Sequence, residues 1–150
     1  MTPRIDPTLL EPIGRVTVNF EMLSGEVEFG IWRLLFDNNA QEQRTGEIIT
    51  AERSFGKNVE LFACLYKHRY PEQDHEKLER LCKKLHAVEQ ERNKITHSRW
   101  RSGSMRIKTT AKQKGFRFQF EKMSRAQIEG IADEIVKTAT EFVLFVFSAR

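Results

Sequence analysis

LERLCKKLHAVEQERNKITH, residues 78–97, decides how the rest of the chain is read. Apolar residues recur at Leu78, Leu81, Leu85 and Val88 and, after Arg92, again at Ile95. Steps of three and four residues along one line are the seam of an amphipathic helix. Arg92 therefore stands where Leu or Val is expected. A charge on a buried stripe costs several kcal/mol unless it is paired or used. One turn later comes His97. Asn93 and His97 are i and i+4 and share one face, while Arg92 and Thr96 share the neighbouring face. Arg92 and His97 lie about 140° apart around the helix at ~100° per residue. They converge only through long side chains, through fraying near Ser98, or across a second chain. A purely structural reading stands beside this one: Glu89, three residues before Arg92, pairs with it, and His97 is a surface residue near a helix C-terminus, where a cation is favoured.

Working outward, this helix runs from about His75 to His97. The Pro71–Asp74 turn sets it antiparallel to a preceding helix at about Ala51–Tyr70, whose inward residues are Phe55, Val59, Phe62 and Leu65. A first helix spans about Arg15–Asp37 on Phe20, Leu23, Val27, Ile31 and Leu34, with Gly25 and Gly30 read as points of close helix packing. Residues 1–12, with three prolines, read as an irregular arm, and Asp37–Thr50 reads as a polar loop. After Ser102-Gly103-Ser104 the period changes. Met105, Ile107 and Thr109 alternate with Arg106, Lys108 and Thr110, then Phe116, Phe118 and Phe120 alternate with Arg117 and Gln119. That is a β-hairpin over about 105–121 with one apolar and one basic face, and the Phe face is expected to lie on the helices because an isolated hairpin is marginal. Ser124-Arg125-Ala126-Gln127 is a capping box with Met123 and Ile128 as its hydrophobic staple. It opens a last helix to about Ser148 that is apolar nearly all round toward its end, which predicts self-association. The expected fold class is all-α: a single domain over residues 1–150, a four-helix bundle with a β-hairpin inserted before the last helix.

Charge is distributed unevenly. Between Arg92 and Phe120 there are nine cations and no Asp or Glu, whereas the remaining 16 cations face all 21 acids of the chain. An acidic body thus carries one basic segment that starts at the Arg-Asn-His cluster, and such segments attract polyanions. The first ten residues contain Pro3, Arg4, Asp6 and Pro7 and no long apolar run, so no export signal is expected. The longest apolar run, residues 142–147, is too short to span a membrane. Two cysteines make no disulfide framework, and a cytoplasmic, reducing setting is the simplest expectation. Cys64-x3-His68 and Cys82-x3-His86 resemble zinc pairs, but across an antiparallel helix hairpin the two histidines diverge by about two turns, on the order of 11 Å. No metal site and no cofactor are expected. Gly-rich phosphate loops, Gly-x-Ser-x-Gly and His-Glu-x-x-His are absent from the sequence.

Arg92-Asn93-Lys94-Ile95-Thr96-His97, near the C-terminal end of a helix in a small helical bundle, resembles the R-x4–6-H motif of the HEPN superfamily, including the polar residue directly after the Arg. The resemblance covers roughly residues 15–148, and the hairpin departs from the simplest bundle. It implies an all-α, commonly dimeric fold and, in many members, a metal-independent endoribonuclease, in toxins, phage-defence effectors or RNA-processing enzymes. Other members lack nuclease activity. The implied catalytic residues are Arg92, which would stabilise the phosphorane with its planar fork, His97 as acid or base, and Asn93 in support. A homodimer would bring two copies of Arg92 and His97 to one cleft and supply both an acid and a base. RNA contacts are expected from Lys94, Ser98, Arg99, Trp100, Arg101, Arg106, Lys108 and Arg117, with Trp100 stacking on a base or packed in the core. An antitoxin or a nucleotidyltransferase is the further partner the resemblance suggests. The rival readings are a catalytically silent nucleotide- or RNA-binding module and a structural helical oligomer.

Overall fold

The computed structural model describes residues 5–37, 39–101, 103–113 and 115–148. Its longest element, α1 (Leu10–Phe36), grows out of a 3-10 turn at Pro7–Leu9. The Asp6 carboxylate caps that turn by accepting the Thr8 N–H at 2.9 Å, and Pro7 presets its backbone angle. Leu9 and Pro12 are buried. The chain therefore becomes helical well before Arg15, and the irregular arm is shorter than expected.

The Asp37–Thr50 segment holds a 3-10 turn at Ala40–Glu42 and a helix, α2 (Gln43–Thr50), rather than only a loop. Its local signal is weak, and packing on α1 supplies what propensity lacks. Gly46 lies so close under Trp32 that a Cβ there would come within 2.5 Å of the indole, and the Trp32 N–H donates to Thr50 Oγ1 at 3.2 Å. α3 (Phe55–Arg69) starts later than Ala51 because Ser54 is its cap, accepting the Lys57 N–H. α4 (Glu76–Thr96) carries the seam, with Leu78, Leu81, Leu85, Val88 and Ile95 all buried. The expected capping box is present before α5 (Arg125–Ser148): Ser124 N–H donates to Gln127 Oε1 at 2.7 Å, and Gln127 N–H donates to Ser124 Oγ at 3.2 Å. Met123 and Ile128 are buried as the staple requires.

The described residues thus form five α-helices and a small three-stranded antiparallel sheet, β1 (Arg99–Arg101), β2 (Met105–Lys112) and β3 (Gly115–Lys122), in the order β1-β2-β3. β1 is an addition to the expected hairpin. α1 packs against α5, α3, α4 and α2. Gly30 is a point of close packing, since a Cβ there would meet Phe142 at 2.9 Å and Phe62 at 3.1 Å, whereas nothing lies within 4 Å of the corresponding position on Gly25. No described helix is long and apolar enough to cross a membrane.

Two surfaces depart from expectation. Phe116, Phe118 and Phe120 are 73%, 53% and 63% exposed, so the Phe face of the hairpin does not lie on the helices. Only the hairpin root reaches the body: Arg106 is buried and Met105 and Ile107 are half-buried, while all of β3 is exposed. An eight-residue strand extends about 27 Å at ~3.4 Å per residue, well past the end of α4 that anchors it. On the last helix, Phe142 and Val146 are core while Leu144 and Phe147 stay exposed.

Candidate functional site

The α4 seam continues through Arg92, which is half-buried between Val88 and Ile95. Its guanidinium lies over the Phe20 ring of α1, Cζ 3.9 Å from the centroid. Phe20 is itself fixed in the core against Phe55, the ring centroids 4.7 Å apart. A guanidinium is only weakly hydrated and is attracted to a ring face, so this position can hold a cation without a carboxylate partner. Nη1 of Arg92 donates to Asn93 Oδ1 at 2.9 Å. Glu89 does not pair with Arg92. Its carboxylate sits 3.7 Å from His86 Nδ1 and beside Gly56. Among the described residues Arg92 has no ion-pair partner, which removes the Arg92–Glu89 bridge on which the purely structural reading rested.

His97 is the C-cap of α4. Its backbone N–H donates to the Asn93 carbonyl at 3.1 Å, and the residue is exposed. The helix stays regular to Thr96, whose hydroxyl donates to the Arg92 carbonyl at 3.2 Å, so Arg92 and His97 remain on different faces as the periodicity requires. Asn93 stands between them: its amide oxygen holds the Arg92 fork and its carbonyl caps the backbone of His97.

The expected RNA contacts divide into two groups. Lys94, Ser98, Arg106 and Trp100 form the joint between α4 and the sheet. Arg106 is 8% exposed. It pairs with Glu121 across β2 and β3 and donates to Ser98 Oγ at 3.1 Å and to the Lys94 carbonyl at 3.4 Å. The Ser98 hydroxyl donates to that same carbonyl, and the Lys94 ammonium pairs with Glu91. The Trp100 indole N–H donates to the Ile95 carbonyl at 3.2 Å, and its ring packs on the core. Arg106 and Trp100 are therefore turned inward, toward the helix end, and not into a solvated basic face. The alternation from Trp100 and from Arg106 outward explains this: the inward-facing positions closest to the root sit under the α4 C-terminus.

The second group is exposed: Arg99, Arg101, Lys108 and Arg117. The register fixes their faces. Arg99 pairs with Ile107, which pairs with Phe120, and Arg101 pairs with Met105, which pairs with Lys122. Directly opposed residues share a face, so Arg99 and Arg101 lie on the face of Phe116, Phe118 and Phe120. Lys108, opposite Gln119, and Arg117, opposite Thr110, lie on the reverse face. The three exposed rings are the surface that the sequence reading missed. The signal for them was present, since they alternate within a stretch of nine cations without an acid.

Among the described residues no three His, Cys, Asp or Glu side chains gather as metal ligands. Cys64 is exposed and Cys82 half-buried, and burial pushes the Cys82 thiol up from its ordinary range. The chain matches no family model, and neither a curated protein nor a solved structure matches it.

Proposed function

We propose that this protein is a metal-independent endoribonuclease of the HEPN type, acting as a homodimer on RNA. The observation that carries the reading is the Arg92 guanidinium held on an aromatic face, with no carboxylate paired to it among the described residues, one helical turn before His97, which is exposed at the helix end. Its spacing is that of the R-x4–6-H motif, and a basic segment without acids follows directly.

The chemistry needs a base, an acid and a cation. One His97 removes the proton of a 2′-hydroxyl, whose oxygen attacks the adjacent phosphorus. The Arg92 fork stabilises the charge that builds on the non-bridging oxygens. A protonated imidazole gives its proton to the departing 5′-oxygen. The products are a 2′,3′-cyclic phosphate and a 5′-hydroxyl. One chain carries one motif histidine, so the second proton transfer falls to a second copy.

Self-association is supported by an exposed apolar seam. Val18, Met22 and Phe29 of α1 and Val136, Leu144 and Phe147 of α5 are all exposed. Met22, Val136, Val143 and Leu144 line one groove, and Phe29 and Phe147 line another. Val18 and Met22 are each about 160° around α1 from Phe20 at ~100° per residue. A dimer made on this seam alone would therefore leave the motifs apart, and a shared cleft requires contact around the α4 end as well. Reassembling wild type with increasing amounts of His97→Ala protein tests the arrangement. A cleft that needs His97 from both copies loses cleavage as the square of the wild-type fraction. A loss in direct proportion to the wild-type fraction would show that the cleft is not built from two chains.

A further inference from the structure

From the exposed face of the sheet we infer that Phe116, Phe118 and Phe120, flanked by Arg99, Arg101 and Lys122, form a stacking platform for a single-stranded nucleic acid. The inference deepens the ribonuclease reading and names the form of its substrate. The rings stand on alternate residues of β3, with centroids 5.3 Å apart between Phe116 and Phe118 and 6.5 Å between Phe118 and Phe120. Bases stacked in a duplex rise by only ~3.4 Å, so neighbouring bases must come apart to reach successive rings. That selects an unpaired strand.

Across β2 the partners of Phe116 and Phe118 are the small Ala111 and Thr109, while Phe120 lies opposite Ile107. Phe116 and Phe118 meet edge to face, and all three rings keep more than half of their surface exposed. Arg99, Arg101 and Lys122 continue the same face toward the root of the hairpin, are exposed, and make no ion pair among the described residues. Sequence-tolerant stacking combined with a cationic track is how single strands are held. Charge decides the occupant. The whole stretch from Arg92 to Phe120 lacks acids, which disfavours an acid-and-base-balanced protein surface. Lys108 and Arg117 lie on the reverse face of the blade. Cations on both sides suit a strand whose phosphates pass around an edge, whereas on a lipid surface the reverse-face cations would point away from the headgroups.

The platform lies beyond the motif end of α4: Arg106 bridges the α4 carbonyl of Lys94 to Glu121 of β3, next to Phe120. The joint fixes the sheet to the end of α4 that carries Arg92 and His97, and the rings stand on the face opposite Arg106.

The test is fluorescence anisotropy with 15-nucleotide oligothymidylate, which lacks the 2′-hydroxyl and so reports binding without cleavage. Wild type is expected to bind it and to bind a 15-base-pair duplex at least tenfold more weakly. Changing all three Phe to Ser should weaken oligothymidylate binding by about 100-fold or more, with an unchanged circular dichroism spectrum. Changing all three to Tyr should retain it. Neutralising Arg99, Arg101 and Lys122 with Gln should lower the salt slope by about 2. No binding by wild type, equal binding by the Ser variant, or an equal preference for duplex overturns the inference. So does a shift from dimer to monomer in the Ser variant, which would make the face an interface between copies, and so does equally tight capture of wild type on phosphatidylserine vesicles. The two readings fail separately. Ring-dependent binding without any RNA cleavage refutes the nuclease alone, and undiminished kcat/KM of the Ser variant on a 15-nucleotide RNA refutes the platform alone.

Discussion

Under the proposed reaction, Arg92→Met is expected to separate catalysis from folding, because Arg92 stands both in the seam and in the proposed site. The substitution removes a guanidinium 3.9 Å from the Phe20 ring and a 2.9 Å hydrogen bond to Asn93 Oδ1. A half-buried cation–π contact contributes about 1 kcal/mol, and a hydrogen bond that water can replace contributes about 1 kcal/mol. Against this, a Met thioether on the same ring returns about 0.3–1.5 kcal/mol, and the desolvation of a half-buried charge disappears. The terms cancel to within about 1 kcal/mol, which is a midpoint shift of at most about 2–4 °C for a chain of this size. In the proposed reaction cleavage has no such compensation, and loss of a group that stabilises developing charge is expected to lower kcat by about 10²–10³. Urea denaturation followed by circular dichroism, beside the single-turnover rate on labelled RNA, reads both quantities. Because Glu89 turns to His86, a double-mutant cycle of Arg92→Met with Glu89→Gln should show coupling below about 0.5 kcal/mol. Destabilisation by more than ~3 kcal/mol, the cost of breaking a buried ion pair, would refute the reasoning, as would a wild-type rate in the Met variant.

Gly46→Ala places a methyl 2.5 Å from the Trp32 ring and should cost about 1–3 kcal/mol in a urea melt, as overpacking does. Arg106→Leu leaves Glu121 and the Ser98 hydroxyl oxygen without their donor and the Lys94 carbonyl with only its bond from Ser98. It should speed hydrogen exchange of β2 and β3 amides by about tenfold or more while α1 and α5 keep their protection. Burial, with Glu21 nearby, raises the Glu28 carboxyl above its ordinary value of 4.5. Its ionisation therefore works against folding as pH rises past that value, and is without effect well below it, where both folded and unfolded chains are protonated. Glu28→Gln should accordingly raise the thermal midpoint at pH 7 and leave it unchanged at pH 3.

The helices were legible where periodicity or capping was strong. Leu78 to Ile95 carries the buried face of α4, Ser124 to Gln127 carries the start of α5, and the folded chain keeps both. α2 was hidden because its identity depends on a contact between Gly46 and Trp32 that no local pattern encodes. β1 was hidden for a similar reason: Arg-Trp-Arg is a strand only because Met105, Arg106 and Ile107 pair with it. Arg92 stood out as a residue out of place in a seam, and it lies there half-buried on the Phe20 ring, but which of the basic residues after it face solvent was not legible. Alternation gives two faces to a hairpin without saying which one meets the body, and the Arg106 joint resolves that choice by turning the Phe face outward. The same choice moves Trp100 and Arg106 from the candidate interface into the structural joint.

In the proposed reaction Arg92 and His97 cleave RNA by attack of the RNA's own 2′-hydroxyl and without a metal. The most direct measurement incubates wild type and His97→Ala with labelled single-stranded RNA in EDTA and identifies the product ends. Wild type is expected to give 2′,3′-cyclic phosphate and 5′-hydroxyl ends, and the variant none. Equal cleavage by both proteins, or wild-type products with 3′-hydroxyl ends, would contradict that reaction.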